Sequence, residues 1–168
     1  ISIFKSALEY AKSDDERSSI VGSIADMYHQ MGDTKRAFRN YKKALALNGD
    51  NDLVLNNYAY YLSLEKKSLK KAHKMSSRTI ELEPDNATYL DTFGWILFLE
   101  GKSVEAKQIF KRAMLYGGKE SAVILDHYAE VLYALKEYDM AFVYWNLARQ
   151  RNNGDIPDLE DKINIRKA

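Results

Sequence analysis

The chain has no cysteine, which removes disulfide staples, thiolate nucleophiles and thiolate metal sites. Proline occurs only at Pro84 and Pro157, both between stretches of helical periodicity, so the stretches themselves are uninterrupted. Alternating runs of valine and isoleucine are missing, which argues against a sheet. No run of about 18 apolar residues is present, so direct membrane insertion is not expected. Charge of one sign is lacking as well: 25 basic against 24 acidic side chains leave a net +1, too little to draw nucleic acid or an anionic membrane through the overall field. The three histidines, His29, His73 and His127, stand far apart in sequence without the spacing of metal ligands. Phosphate-cradling glycine loops and serine elbows are also absent. The expectation is no metal, no cofactor and no enzyme, with an unrecognised carboxylate site around Asp91, Asp126 and Glu130 as the remote alternative.

What is present is a period. The clearest passage, residues 86–114, reads as two amphipathic helices around Glu100-Gly101-Lys102, because apolar residues return every three or four positions on either side. Its pattern recurs along the 168 residues. A small residue appears in the first helix of each unit as Ala25, Ala59, Gly94 and Ala129, at intervals of 34, 35 and 35. Each follows a large apolar neighbour: Ile24, Tyr58, Phe93 or Tyr128. The second helices repeat Ala37, Ala72, Ala106 and Ala141. Four residues later come Tyr41, Ser76, Phe110 and Trp145, then Ala44, Thr79, Ala113 and Ala148. Small residues let helix backbones approach and large ones fill the space between, so such columns carry packing information.

This pattern resembles the tetratricopeptide repeat, a helix-turn-helix unit of about 34 residues. The resemblance implies an all-α, right-handed superhelical solenoid of antiparallel helix pairs in a single domain over 1–168. Residues 1–17 are read as the second helix of a partial upstream repeat, whose apolar stripe is Ile3, Phe4, Ala7, Leu8 and Ala11. Full repeats follow at 18–51, 52–86, 87–121 and 122–151, and a capping helix at 156–168. The passages LNNYAYYLS, NATYLDTFGWILF and ILDHYAEVLY are similar to the C-terminal repeats of long bacterial proteins of this family. That implies a bacterial protein of a kind often exported to the cell envelope, with the cytoplasm as the alternative.

Helix starts are signalled by Ser13-Asp14-Asp15, Asp33, Asn51, Asn86 and Ser121. Asn86-Ala87-Thr88 also matches a glycosylation acceptor but reads better as a cap. Gly32 and Gly101 mark internal turns, while Lys136 stands where glycine is usual. Repeat 2 has one extra turn residue, in Glu65-Lys66-Lys67-Ser68, and its lysines, among them Lys70, Lys71 and Lys74, read as a solvated outer face. Ser76 and Thr79 predict thin packing there.

In stacked helix pairs the first helices line the concave side, the usual binding side of a solenoid. Counting around each helix away from the core stripe gives an inward set. Repeat 1 contributes Ser23, Asp26 and His29; repeat 2, Asn56, Asn57 and Tyr60. Repeat 3 contributes Asp91, Thr92, Trp95 and Phe98; repeat 4, Asp126, His127, Glu130 and Tyr133. Amides, acids and rings together suit a peptide or partner protein with basic side chains. The competing reading is packing. Trp95 and the other rings fit against a neighbouring helix pair, the asparagines bond neighbouring side chains, and His127 sits satisfied between helices. Family members that clamp acidic C-terminal tails place Lys or Arg beside Asn on this face. Here Asn57 is accompanied by Gly22, Asp91 and Asp126, so such a tail is not expected. A structural spacer or self-association module using the N-terminal edge at Ile3, Phe4 and Leu8 is the alternative.

Overall fold

The computed structural model describes residues 1–168. All regular structure is helical. Contacts gather the chain into two compact units, Ile1–Leu82 and Glu83–Ala168.

The first unit holds α1 (Ser2–Tyr10), α2 (Asp14–Gln30), α3 (Thr34–Leu47), α4 (Asp52–Leu64) and α5 (Leu69–Leu82). Helices α2 and α3 pack as one antiparallel pair and α4 and α5 as the next, with α2 beside α4 and α1 against α2. The second unit holds α6 (Ala87–Leu99), α7 (Ser103–Leu115), a single 3₁₀ turn (Gly118–Glu120), α8 (Ala122–Ala134), α9 (Tyr138–Arg151) and α10 (Leu159–Lys167). There α6 pairs with α7 and α8 with α9, α6 touches α8, and α10 lies on α9.

Local sequence explains the boundaries. The side chains of Ser13, Asp33, Asn51, Asn86 and Ser121 each accept a hydrogen bond from the amide three residues on, satisfying a donor the helix leaves open. Three first helices close in one way. Asp33, Lys102 and Glu137 donate their amides back to Tyr28, Leu97 and Leu132 at 2.9 Å, the six-to-one bond of a Schellman turn. That closure needs a left-handed residue, supplied by Gly32 (φ 80°), Gly101 (φ 83°) and, against its preference, Lys136 (φ 64°). Lys66 and Ser68 also take positive φ in the longer turn of repeat 2.

The repeating columns are the core. Ala25, Ala59, Ala129, all four second-helix alanines from Ala37 to Ala141, and Tyr41, Phe110 and Trp145 are fully buried. At Gly94 an added Cβ would lie 2.8 Å from the Phe110 ring, so glycine there is a requirement of close approach. Repeat 2 departs at Ser76, whose buried hydroxyl has no partner, while the Thr79 hydroxyl donates to the Ser76 carbonyl. No helix is long and apolar enough to cross a membrane.

Candidate partner-binding face

In the first unit the face made by α2 and α4 is organised around Asp26. Its Oδ1 accepts hydrogen bonds from the Tyr41 hydroxyl at 2.5 Å and from Asn57 Nδ2 at 3.2 Å. Burial, reinforced by the Asp26 carboxylate, raises the Tyr41 pKa and keeps its proton in place. One turn along, the His29 ring stacks on Tyr61 with centroids 3.4 Å apart and planes 14° from parallel. Tyr61 in turn meets Tyr60 at 5.6 Å. Asn56, expected to face inward, is buried; its amide donates to Asn57 Oδ1 at 3.4 Å and its own Oδ1 has no hydrogen-bond partner.

In the second unit the polar residues expected on the face are drawn into the seams between helices. Asp91 Oδ1 meets His127 Nδ1 at 2.7 Å, both buried. Burial disfavours the imidazolium, but the Asp91 carboxylate outweighs it and holds the His127 pKa above its ordinary value. Trp95 stacks on the His127 ring at 4.2 Å and leans on Phe98 at 5.2 Å. Thr92 is buried, with its hydroxyl turned back to the Thr88 carbonyl. Asp126 accepts the Trp145 indole N–H at 2.9 Å and the Lys162 ammonium at 2.9 Å. Glu130 meets Lys162 at 3.4 Å and Arg166 at 2.8 Å. Burial works against the Lys162 charge, yet the hydrogen bond to Asp126, followed by the charges of Asp126 and Glu130, raises its pKa. Tyr133 lies under the Arg166 guanidinium at 4.9 Å.

The acids of the expected inward set are engaged within the chain. Asp26, Asp91, Asp126 and Glu130 each already hold a partner on another helix, because a carboxylate between packed helices must be paired. Buried Asn56, Asp91, Thr92, Asp126 and His127 belong to the seams. Asp26, His29, Asn57, Tyr60, Trp95, Phe98, Glu130 and Tyr133 keep partial exposure. The carboxylates of the remote catalytic alternative each have a partner: Asp91 meets His127, while Asp126 and Glu130 share Lys162. No cluster of three or more His, Asp or Glu residues could hold a metal ion.

Three contributors were not read from the sequence. Tyr61 lies one helical turn beyond Asn57, and Lys162 and Arg166 are four apart on α10. In each case the i,i+4 step places both residues on one face.

No protein-family profile and no curated protein matches the chain. Solved structures do. One is pilF of Pseudomonas aeruginosa, 25% identical, covering 90% of this chain and 67% of that one, with a TM-score of 0.74. A second is TTC0263, a thermophilic TPR protein of Thermus thermophilus, 18% identical, covering 99% and 88%, TM-score 0.77. PilW, described as a widely conserved type IV pilus biogenesis factor, is 18% identical over 89% of this chain and 68% of its own, TM-score 0.78. The chain has the fold of the tetratricopeptide-repeat proteins.

Proposed function

We propose that the chain is a non-catalytic protein-interaction scaffold whose first-helix faces hold a segment of a partner protein. The observation that carries this reading is the contrast on those faces: the carboxylates are paired internally, whereas stacked rings stay partly open. His29 with Tyr60 and Tyr61 forms one ring ledge, in the first unit; Trp95 with Phe98 forms another, in the second. Rings held against one another present broad apolar area with little entropy left to lose, as binding hot spots do. The partner segment is accordingly read as apolar or aromatic at its anchoring positions, and an acidic C-terminal tail is not the ligand, since Asn57 is already held by Asp26. The likeness to PilW supports placing the protein within a bacterial envelope assembly.

The test is photo-crosslinking in the native cell from a benzophenone amino acid at Tyr61 or Phe98, with Gln108 and Asn146 on second helices as controls. One partner captured from the ring positions and not from the controls is the expected result. Equal capture from both sets refutes the assignment.

A second reading, self-association through the N-terminal edge, is favoured by α1, which buries none of its residues and leaves Ile3 81% exposed. A concentration-dependent dimer in sedimentation that Phe4→Asp abolishes would establish it; a monomer at all concentrations excludes it.

A further inference from the structure

The near-zero net charge conceals a local imbalance. Helix α3 carries Lys35, Arg36, Arg39, Lys42 and Lys43 and no acid. Between α1 and α3, on the side of α2 that faces them, runs a groove of about 470 Å³. Its floor is apolar, formed by Leu8, Val21, Ile24 and Tyr28, and its rim is cationic, formed by Lys5, Arg36, Arg39 and Lys43. Arg36 lies near Asp33 and over the Tyr28 ring. Lys5, Arg39 and Lys43 are exposed and engage no carboxylate.

The repeats themselves explain why this groove is open. At the column of Ile24 the later repeats carry Tyr58, Phe93 and Tyr128, and at the column of Asn40 they carry Met75, Ile109 and Tyr144. Tyr58 packs against Phe38 and Tyr41 of the preceding second helix, with Lys71 on its hydroxyl. Tyr128 packs against Phe110 and Tyr144. The first repeat has a smaller residue at both columns, and the space they would fill stays vacant beneath the cations.

We propose that this groove is a docking site for an acidic amphipathic segment of a partner protein. Large apolar side chains of the segment would cover the floor, and flanking Asp or Glu side chains would meet Lys5, Arg39 and Lys43. Charge complementarity selects the acids, and the recessed floor selects a segment that can project side chains into it. A planar bilayer would engage protruding cations anywhere on the surface, α5 included. Nucleic acid bases want free ring faces, and the one ring here, Tyr28, already carries Arg36. The site uses none of the ring-ledge residues, so it stands or falls independently of the function proposed above.

Fluorescence anisotropy with a labelled synthetic peptide alternating glutamate pairs with leucine and phenylalanine tests it. Controls are the same peptide with lysine for glutamate and with serine for the apolar residues. The acidic amphipathic peptide should bind at least about tenfold more tightly than either control, a difference of about 1.4 kcal/mol. Arg39→Glu with Lys43→Glu should weaken it by about tenfold or more, whereas Lys70→Glu with Lys74→Glu on α5 should change it by less than about twofold. Filling the groove with the rim intact, by Ile24→Tyr or by the more exposed Asn40→Tyr alone, should abolish binding while helicity and unfolding midpoint persist. Equal loss from the α5 pair, equal binding of the control peptides, or no binding at all overturns the proposal. So does equally tight binding of phosphatidylglycerol vesicles or oligothymidine through Arg39 and Lys43.

Discussion

Replacing Gly94 by alanine sets two effects of known sign against each other. Alanine in a helix interior is favoured over glycine by about 0.8–1.0 kcal/mol. Against this, the new Cβ would sit 2.8 Å from Phe110 Cε2 and 3.0 Å from Cδ2, where ordinary contact begins near 3.4 Å. The ring must retreat by about 0.6 Å, yet Phe110 is 0% exposed and already stacked against Tyr128. Overpacking of a filled core costs about 1–3 kcal/mol, so Gly94→Ala should lose about 1 kcal/mol net and Gly94→Leu about 3 kcal/mol. The equivalent Ala25 and Ala129 coexist with larger rings, but Tyr41 and Trp145 are held by hydrogen bonds to Asp26 and Asp126. Phe110 has no such tether. In a Phe110→Leu background the clash disappears and the propensity remains, so Gly94→Ala should become stabilising, with a coupling of about 2 kcal/mol across the double-mutant cycle. Urea unfolding followed by Trp95 and Trp145 fluorescence and by far-ultraviolet dichroism measures all four corners. A Gly94→Ala protein more stable than its parent with Phe110 intact would refute the reasoning.

Lys136→Gly should stabilise by about 0.5–1 kcal/mol, because relief of a left-handed L-residue, worth about 1–2 kcal/mol, exceeds the added freedom of the unfolded chain; urea midpoints check it. His127, with a folded pKa above its ordinary value, contributes stability that is whole below about pH 6.5 and fades as pH rises through the folded pKa, each unit of elevation being worth about 1.4 kcal/mol. His127→Gln should therefore flatten the pH dependence of the unfolding midpoint above about pH 6, and an unchanged slope would show that the Asp91 pair does not tighten on protonation.

The architecture was legible because it is written in residues whose choice is narrowly restricted at their positions. An alanine column at a helix crossing, Asn86 at a helix start and Gly101 at a left-handed closure each answer a local steric or hydrogen-bonding demand. The face was legible only in direction. Counting around a helix shows which way Asp91 and Asp126 point, but not that His127 and Lys162, each 36 residues further on, will meet them. Nothing in the local spacing of Lys162 and Arg166 reveals a partner on another helix. Likewise Ile24 fits its column as one more large apolar residue. Its smaller volume matters only once α1 and α3 are in place on either side.

The pairing of the acids bears on how similar hairpins stack in the right order. Asp26 is answered from the next first helix by an amide, Asn57. Asp91 is answered by an imidazole, His127, and Asp126 by an ammonium from α10, Lys162. The apolar columns alone would let one hairpin stand in for another, the usual hazard of repeats. Of the three acids Asp91 and Asp126 are buried, so separating either from its partner leaves a buried carboxylate without its counter-charge, a defect that costs about 3–5 kcal/mol when an ion pair is broken. The same arrangement withdraws those charges from recognition. On α3, by contrast, Arg36 is paired with Asp33, while Arg39 and Lys43 of the groove rim stay exposed.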